Sequence, residues 1–337
     1  MIDAKGAYVS AGFIDIHIHG SGGADVMDAT PQALETISQV LLQTGTTAFL
    51  ATTMTMSQQA IGRALENART CQSALTGAQL LGVHLEGPFI NPEKHGAQDA
   101  RYVQRPHTDW VEQYLDILKM ITLAPEVEGG RAFVQRMRKI APDVVLSIGH
   151  SDAEYEEALG AFDAGISHVT HLFNAMPPYH HREPGVVGAV FEREDVTADI
   201  IADLVHTHPH HLRLAHTMKS AQLILITDAM RAGCMKNGNY DLGGRSVTVC
   251  EGKALLEDGT LAGSVLKMNE ALAHMVAHTS MTLPEAIFSV TEAPAQKLGL
   301  TKGRLEVGYD ADLVIFDEDF SIITTIAAGN VVYQRSA

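Results

Sequence analysis

Short apolar or β-branched runs recur through the first 230 residues, and helical patterns separate most of them. These runs predict strands near residues 13–18, 47–53, 80–85, 119–123, 144–148, 168–172, 196–204 and 222–227. Helices are predicted between them, for example at residues 31–44, 58–73, 131–140 and 153–164. Strands that alternate with helices in this way predict an α/β fold, a parallel (β/α)8 barrel of the TIM type. A doubly wound open sheet would give a similar pattern, so periodicity alone leaves both folds open.

The pattern is weaker in one connection and changes after the eighth predicted strand. Residues 180–195 are rich in His, Pro and Gly and show no clear helical period. Residues 240–264 indicate short strands joined by Gly turns, and helices are predicted near residues 265–278 and 284–299. Residues 303–334 alternate in the manner of a small β domain. A small β unit is therefore expected beside the barrel.

The first predicted strand ends in the sequence Asp15-Ile16-His17-Ile18-His19. Alternation along a strand places His17 and His19 on the same face, two residues apart. Two imidazoles in this position can bind one metal ion. They could equally be two hydrogen-bonded core histidines, so this motif alone leaves metal binding open.

Five later strands also end at residues that bind metals or move protons, namely Glu86, His150, His171, His206 and Asp228. Each has an ordinary explanation when taken alone, such as a loop cap for Glu86 or a helix N-cap for Asp228. Together they close strands at the C-terminal ends, which is the face where such barrels build active sites. The joint pattern predicts a metal-dependent hydrolase. His168 does not share a strand face with His171, and we expect it to be structural.

The charge and the cysteines limit the partners and the compartment. The formal net charge of −16 disfavours nucleic acid and anionic membranes as partners. The three cysteines, Cys71, Cys234 and Cys250, are far apart and odd in number, which argues against a disulfide framework. A cytoplasmic protein is therefore expected, with no nucleic-acid or membrane partner.

Six motifs resemble a known family. They are GFIDIHIHG at residues 12–20, HLEGPF at 84–89, HLFNAM at 171–176, HREPG at 181–185, TDAM at 227–230 and LAGS at 261–264. The first resembles the opening of the amidohydrolase superfamily, and together they resemble its N-acetylglucosamine-6-phosphate deacetylases from about residue 12 to the C-terminus. The resemblance implies a barrel enzyme, usually a homodimer. Its small-molecule partner would be a phosphorylated amino sugar, from which it cleaves the acetamide to release acetate.

The resemblance also implies roles for particular residues. Glu86, His150 and His171 match the principal metal ligands, and His17 and His19 match a second-metal pair that only some members have. Asp228 matches the catalytic acid/base. Substrate-contacting positions are matched by Ala97, Gln98, Asn174, Ala175, Arg182, His206, Ala262, Gly263 and Ser264. One or two divalent ions are expected, with zinc first and iron, cobalt or manganese also compatible with His and Glu ligands.

The chain departs from the family pattern at its start. Eleven residues precede Gly12, where members usually carry a few dozen, and Ala11 stands where Pro is common. We expect a barrel domain at residues 12–302, with a β insertion at about 240–264, and a small β-sandwich domain from residues 1–11 and 303–337 that is N-terminally truncated. Exposed strand edges would then make the chain less stable or more prone to associate.

Two alternatives to the deacetylase remain open from the sequence. One is another amidohydrolase that acts on a different N-acyl sugar or on a cyclic amide. The other is a non-catalytic scaffold that has kept the barrel.

Overall fold

The structure is a computed structural model that describes residues 3–336. The strands are β1 (Tyr8–Ala11), β2 (Phe13–Ile18), β3 (Gly20–Ser21), β4 (Ala24–Asp25), β5 (Thr46–Thr52), β6 (Gln79–Glu86), β7 (Leu118–Leu123), β8 (Val145–Ile148), β9 (His168–Val169), β10 (Thr197–Ile201), β11 (Leu223–Ile226), β12 (Gly238–Leu242), β13 (Arg245–Cys250), β14 (Lys253–Leu256), β15 (Leu313–Phe316), β16 (Ile322–Ala327) and β17 (Asn330–Gln334). The α-helices are α1 (Pro31–Leu41), α2 (Gln58–Cys71), α3 (Gly130–Ile140), α4 (Tyr155–Asp163), α5 (Gly185–Glu192), α6 (Pro209–Lys219), α7 (Met268–His278), α8 (Leu283–Val290) and α9 (Glu292–Lys297).

Eight strands form the central sheet, in the order β2-β5-β6-β7-β8-β9-β10-β11, and neighbouring strands are parallel. The first and last strands of this sheet meet. The Asp228 amide donates to the His17 carbonyl at 2.9 Å, and the Thr227 hydroxyl donates to the buried Asp15 carboxylate at 2.5 Å. The sheet therefore closes into a barrel. This confirms the predicted (β/α)8 fold and excludes the open sheet.

The barrel helices bury one face each against the strands. In α1, Leu34, Ile37 and Leu41 recur at helical spacing and are almost completely buried. The Thr30 hydroxyl accepts a hydrogen bond from the Ala33 amide at 3.2 Å, and Pro31 occupies the first turn, where its missing N–H costs nothing. This helix therefore begins where cap chemistry and apolar periodicity coincide. Among residues 3–336, no helix combines the length and the apolar character that crossing a membrane requires.

Several elements differ from the sequence prediction. Strand β10 ends at Ile201 rather than at residue 204. Strand β9 ends at Val169, three residues early, because His171, Phe173 and Ala175 adopt left-handed backbone angles that turn the chain away from the strand. Helix α5 forms in the connection that showed little helical period. Its three valines and Ala189 are buried and lie around most of the helix, so it lacks the polar face that gives an amphipathic pattern. The helix predicted at residues 284–299 is two helices, which Thr291 separates.

Two larger antiparallel sheets accompany the barrel, besides the two-stranded antiparallel pair of β3 and β4. Strands β1, β15, β16 and β17 form one, and Tyr8–Ala11 pairs along Leu313–Phe316, so the β15 strand has a partner from the start of the chain. Strands β12–β14 form the other, and it packs on the barrel through an apolar cluster that includes Met54 and Met230. The predicted division into two domains stays a prediction. Its residues 1, 2 and 337 lie outside the described range.

The Asp15–Thr227 hydrogen bond predicts a stability effect. We expect Thr227→Val to lower the free energy of unfolding by about 1–3 kcal/mol, because the buried Asp15 carboxylate loses a donor that water cannot replace. Urea unfolding followed by circular dichroism measures this. The control is Thr217→Val on the exposed face of α6, which should change stability by no more than about 0.5 kcal/mol. An equal effect of both substitutions would contradict a stabilising role for the Asp15–Thr227 hydrogen bond.

Candidate metal centre and active site

The carboxylate of Glu86 is the point on which four imidazoles converge at the C-terminal end of the barrel. Its Oε1 lies 3.2 Å from Nε2 of His150, 3.2 Å from Nε2 of His171 and 3.4 Å from Nε2 of His17. Its Oε2 lies 3.2 Å from Nε2 of His19. All five side chains are buried. Residues from four strand ends, separated by up to 154 positions in sequence (17 to 171), therefore share one small volume.

These residues make two groups that could each hold a metal ion, and Glu86 belongs to both. His17, His19 and Glu86 form one group, and Glu86, His150 and His171 form the other, with the ligand atoms of each group within 4.8 Å of one another. The paired Nε2 atoms are 3.3 Å apart in the first group and 3.2 Å apart in the second. Two nitrogens bonded to one tetrahedral zinc ion at about 2.0–2.1 Å are roughly 3.3 Å apart. The donor set and its spacing therefore fit a metal ion.

The other ring nitrogen of three imidazoles donates to a backbone carbonyl. Nδ1 of His19 lies 3.2 Å from the Thr52 carbonyl oxygen. Nδ1 of His150 lies 2.9 Å from that of Lys94, and Nδ1 of His171 lies 3.1 Å from that of Asn174. Because a carbonyl only accepts, Nδ1 carries a proton, and Nε2 is the ring nitrogen left to face Glu86 or a metal ion. Nδ1 of His17 is buried and has no hydrogen-bond partner among residues 3–336. His17 is thus the least supported ligand of the four.

Asp228 lies beside this centre and faces the cavity. Its Oδ1 is 3.2 Å from Nε2 of His19 and 3.5 Å from Nε2 of His17. Burial by itself raises the pKa of Asp228, but the neighbouring His17 and His19 outweigh it and hold the pKa below its usual value. Burial likewise raises the pKa of Glu86, but the contacts with His17, His150 and His171 outweigh it and keep this pKa well below its usual range. Both carboxylates are therefore ionised near neutral pH.

Left-handed backbone angles turn three of these side chains into the centre. His150 has φ 49°, His171 has φ 33° and Asp228 has φ 47°. Such angles cost non-glycine residues about 1–3 kcal/mol each and persist only where the surroundings hold them. The amide of His171 donates to the Asp199 carboxylate, and the Asp228 carbonyl accepts from the Ser264 amide at 2.8 Å.

A cavity opens above the metal groups, and several residues singled out in the sequence line it. They are Ala97, Gln98, Asn174, Ala175, His206 and Gly263, together with His19, Glu86, His150, His171 and Asp228. Gln98 is nearly fully buried. Its side-chain NH2 donates to Oε2 of Glu86 at 2.7 Å, and its oxygen accepts from the Thr55 amide at 2.6 Å. In this structure Gln98 therefore orients the shared carboxylate.

Three other residues from the sequence prediction lie elsewhere. Ala262 is buried in the apolar cluster beneath the β12–β14 sheet. Ser264 is also buried, and its hydroxyl donates to the Thr227 carbonyl at 2.5 Å, so it supports the strand end that carries Asp228. Arg182 is exposed, and its Nη1 lies 2.6 Å from Nε2 of His181. Within the described residues, none of the three lines the cavity.

Sequence reasoning missed two supporting carboxylates. Asp199 on β10 contacts Nε2 of His168 at 2.9 Å, which gives the expected structural His168 its partner. Asp203 accepts from Nδ1 of His206 at 2.6 Å and from the amides of Val205 and His206, and so fixes His206 at the cavity wall. A lone Asp in the apolar strand 197–201 was a signal for the first. The Asp-x-x-His spacing was a signal for the second.

The cavity also has an apolar wall, and of its residues only Leu261 lies in one of the motifs. Met54, Ile201, Leu242 and Leu261 contribute to it. Leu242 ends strand β12, so part of this wall comes from the small sheet outside the barrel. Because these residues lie far apart in the sequence, no local pattern marks them as neighbours.

Comparison with known proteins agrees with this geometry. The profile of the Amidohydrolase family matches residues 8–332. This chain belongs to the amidohydrolase family. Among its relatives, the N-acetylglucosamine-6-phosphate deacetylase of Bacillus subtilis (strain 168) is 44% identical over 333 residues, covering 96% of this chain and 84% of the relative. The corresponding protein of Lysinibacillus sphaericus is 42% identical over 342 residues, covering 99% and 88%.

Solved structures of amidohydrolases show the same fold. The N-acetylglucosamine-6-phosphate deacetylase from Pasteurella multocida superposes with a TM-score of 0.94 at 30% identity, covering 99% of this chain and 88% of that one. A mutant of the Mycobacterium smegmatis deacetylase, in complex with N-acetyl-D-glucosamine-6-phosphate, gives a TM-score of 0.92 at 33% identity, covering 97% and 87%. The resemblance to these deacetylases found in the sequence is therefore confirmed.

The shared position of Glu86 predicts how metal content responds to substitution. We expect Glu86→Gln to remove metal from both groups, because the amide offers each ion a weaker, neutral ligand. His150→Asn should affect only the group that contains His171. Metal per chain, measured by plasma mass spectrometry after dialysis, gives the result. His278→Asn at the end of α7 is the control, and unchanged metal content in Glu86→Gln would contradict the assignment.

Proposed function

We propose that this amidohydrolase hydrolyses the acetamide of N-acetyl-D-glucosamine 6-phosphate to D-glucosamine 6-phosphate and acetate, as a step of amino-sugar catabolism. The observation that carries the proposal is the buried Glu86, His150 and His171 group with Asp228 beside it on the wall of a cavity. Relatives that are 42–44% identical across nearly the whole chain carry the name of this activity.

A divalent metal ion is the cofactor that the residues fit. Glu86, His150 and His171 would hold the principal ion, and His17 and His19 would hold a second one with Glu86. We place zinc first, although iron, cobalt and manganese accept the same ligands. When bound, such an ion polarises the amide carbonyl and lowers the pKa of the attacking water.

Asp228 is the residue that would move the proton. Its carboxylate is ionised, because His17 and His19 hold its pKa below the usual value against the effect of burial. It can therefore accept a proton from the attacking water and later deliver it to the departing amine. One carboxylate can serve both steps because the transfers are sequential.

His206 on the cavity wall and Arg182 outside it would position the sugar. His206 is oriented by Asp203 and can bind a sugar hydroxyl or the developing oxyanion. Arg182 has a planar guanidinium that suits a phosphate, and His180 and His181 lie beside it. Arg182 is exposed to solvent and is not part of the cavity wall. Its role as a phosphate ligand is part of the proposal.

We also propose a cytoplasmic homodimer. The free cysteines, of which Cys71 is buried and Cys250 exposed, are compatible with a reducing compartment. The dimer follows from the family resemblance. The net charge of −16 supports the absence of nucleic acid and anionic membranes among the partners.

A second candidate substrate is the epimer N-acetylgalactosamine 6-phosphate. A relative from Escherichia coli O157:H7, named N-acetylgalactosamine-6-phosphate deacetylase, is 35% identical over 317 residues and covers 92% of this chain and 84% of itself. The lower identity favours the glucosamine compound for this chain.

Asp228→Asn tests the proton carrier. We expect metal content to persist and turnover of N-acetyl-D-glucosamine 6-phosphate to fall by about 10²–10⁴-fold, because an amide cannot accept the proton. Acetate release and metal analysis on the same preparations measure both. Asp143→Asn, an exposed substitution just before β8, is the control. Unchanged turnover in Asp228→Asn would remove Asp228 from the mechanism.

Three substrates test recognition of the sugar. We expect kcat/KM to be highest for N-acetyl-D-glucosamine 6-phosphate, lower for the galactosamine epimer and lowest for N-acetyl-D-glucosamine without phosphate. Loss of a charge-assisted contact worth about 1.5–3 kcal/mol would lower kcat/KM by roughly 10–100-fold. Arg182→Ala should reduce the difference between the phosphorylated and unphosphorylated sugars. Equal rates for those two sugars in the wild type would exclude a phosphate clamp.

A further inference from the structure

Glu126, which follows strand β7, accepts three hydrogen bonds although it takes no part in the cavity described above. Its Oε1 accepts from the Asn91 side-chain amide at 2.9 Å and from the Asp152 backbone amide at 2.7 Å. Its Oε2 accepts from the Ser151 hydroxyl at 2.8 Å. Ser151 is completely buried. A charged acceptor with three donors holds those donors more firmly than a neutral one would.

The three donors belong to two segments that are in contact with His150. Ser151 and Asp152 directly follow it in the chain. The Asn91 backbone amide donates to the His150 carbonyl at 2.8 Å. Glu126 therefore holds the Ser151 side chain, the peptide that follows Ser151, and the Asn91 segment that binds the His150 carbonyl.

The same segment supplies the carbonyl that orients the His150 ring. The Asn91 side-chain oxygen accepts from the Glu93 amide at 2.9 Å and caps a short 3-10 helix, Pro92–Lys94. The carbonyl of Lys94, the last residue of that helix, accepts from Nδ1 of His150 at 2.9 Å. The Lys94 ammonium lies 3.0 Å from the Asp152 carboxylate. This ion pair is a further link between the segment of Asn91 and Lys94 and the segment that follows His150.

His150 requires such support because its backbone is left-handed, with φ 49°. An imidazole-bearing residue in that conformation depends on its surroundings to keep it there. Its Nε2 points correctly toward Glu86 only while the backbone angle and the Lys94 carbonyl are both in place. Both depend on the loop segments that the Glu126 carboxylate joins.

We propose that Glu126 is a positioning residue that holds His150 in the geometry of a metal ligand. This inference rests on the proposed metal-dependent function. It states that this function also depends on a residue outside both metal groups. Glu126 contacts neither ligand atoms nor the cavity, so it acts through Asn91, Ser151 and Asp152.

Cobalt(II) binding to the metal-free full chain tests the proposal without using activity. Visible absorption on titration with Co²⁺ reports both affinity and coordination geometry. We expect Glu126→Ala to weaken Co²⁺ binding by about 10–100-fold and to change the spectrum. Glu126→Gln should recover most of the affinity, because its amide oxygen can accept from Asn91 and Asp152 and its NH2 can donate to Ser151. Glu128→Ala, at an exposed carboxylate that pairs with Arg105, is the matched control and should bind as the wild type does.

Circular dichroism and melting identify which variants are folded. A folded Glu126→Ala chain with wild-type Co²⁺ affinity and spectrum would overturn the proposal. If Glu126→Ala does not fold, Ser151→Ala removes one of the three hydrogen bonds, and unchanged Co²⁺ binding in that variant would overturn it instead. A wild type that binds Co²⁺ but releases no acetate would contradict the proposed function and leave the role of Glu126 standing. A wild type that binds no Co²⁺ would contradict the metal site itself and would overturn the proposed role of Glu126 with it.

Discussion

The buried carboxylate of Glu86 is the group on which the arrangement of the active end of the barrel depends. A carboxylate charge removed from water is costly unless it has close partners of positive or donor character. Here four imidazole Nε2 atoms lie within 3.4 Å of its oxygens, and the Gln98 amide donates to it as well. The pKa of Glu86 stays well below its usual range because these contacts outweigh burial. The same concentration of ligand atoms makes the site suited to a metal ion.

A second layer of residues keeps these ligands in place. Backbone carbonyls fix the tautomers of His19, His150 and His171, and carboxylates hold the turns that follow the strands. Asp199 supports the turn at His171, and Glu126 binds the segments around His150. Such outer partners decide ring orientation and ligand basicity in metal sites. The barrel therefore supplies positions for the ligands, and the connecting loops supply their orientation.

Much of this could be predicted from the sequence, for physical reasons that are local. The alternation in residues 13–19 places His17 and His19 on one face, and the apolar runs that end at Glu86, His150 and Asp228 predict strands that the structure contains. Helix α5 was not evident, because a helix that is buried around most of its surface has no amphipathic period. Apart from the Asp203–His206 pair, the supporting contacts were not predictable because they bring together different segments of the chain. Gln98 follows Glu86 by twelve positions, yet its place on the Glu86 carboxylate depends on the Thr55 amide from another strand end. The roles of the individual site residues stay predictions, and the barrel and the family are confirmed.

The position of the bound metal shows whether Glu86, His150 and His171 are its ligands. Crystals of the zinc-loaded protein, measured at the zinc absorption edge, would give an anomalous difference map. We expect a peak at bonding distance from Glu86, Nε2 of His150 and Nε2 of His171, about 2.0–2.2 Å from each. A fully loaded protein whose only anomalous peaks lie away from Glu86 would contradict this assignment.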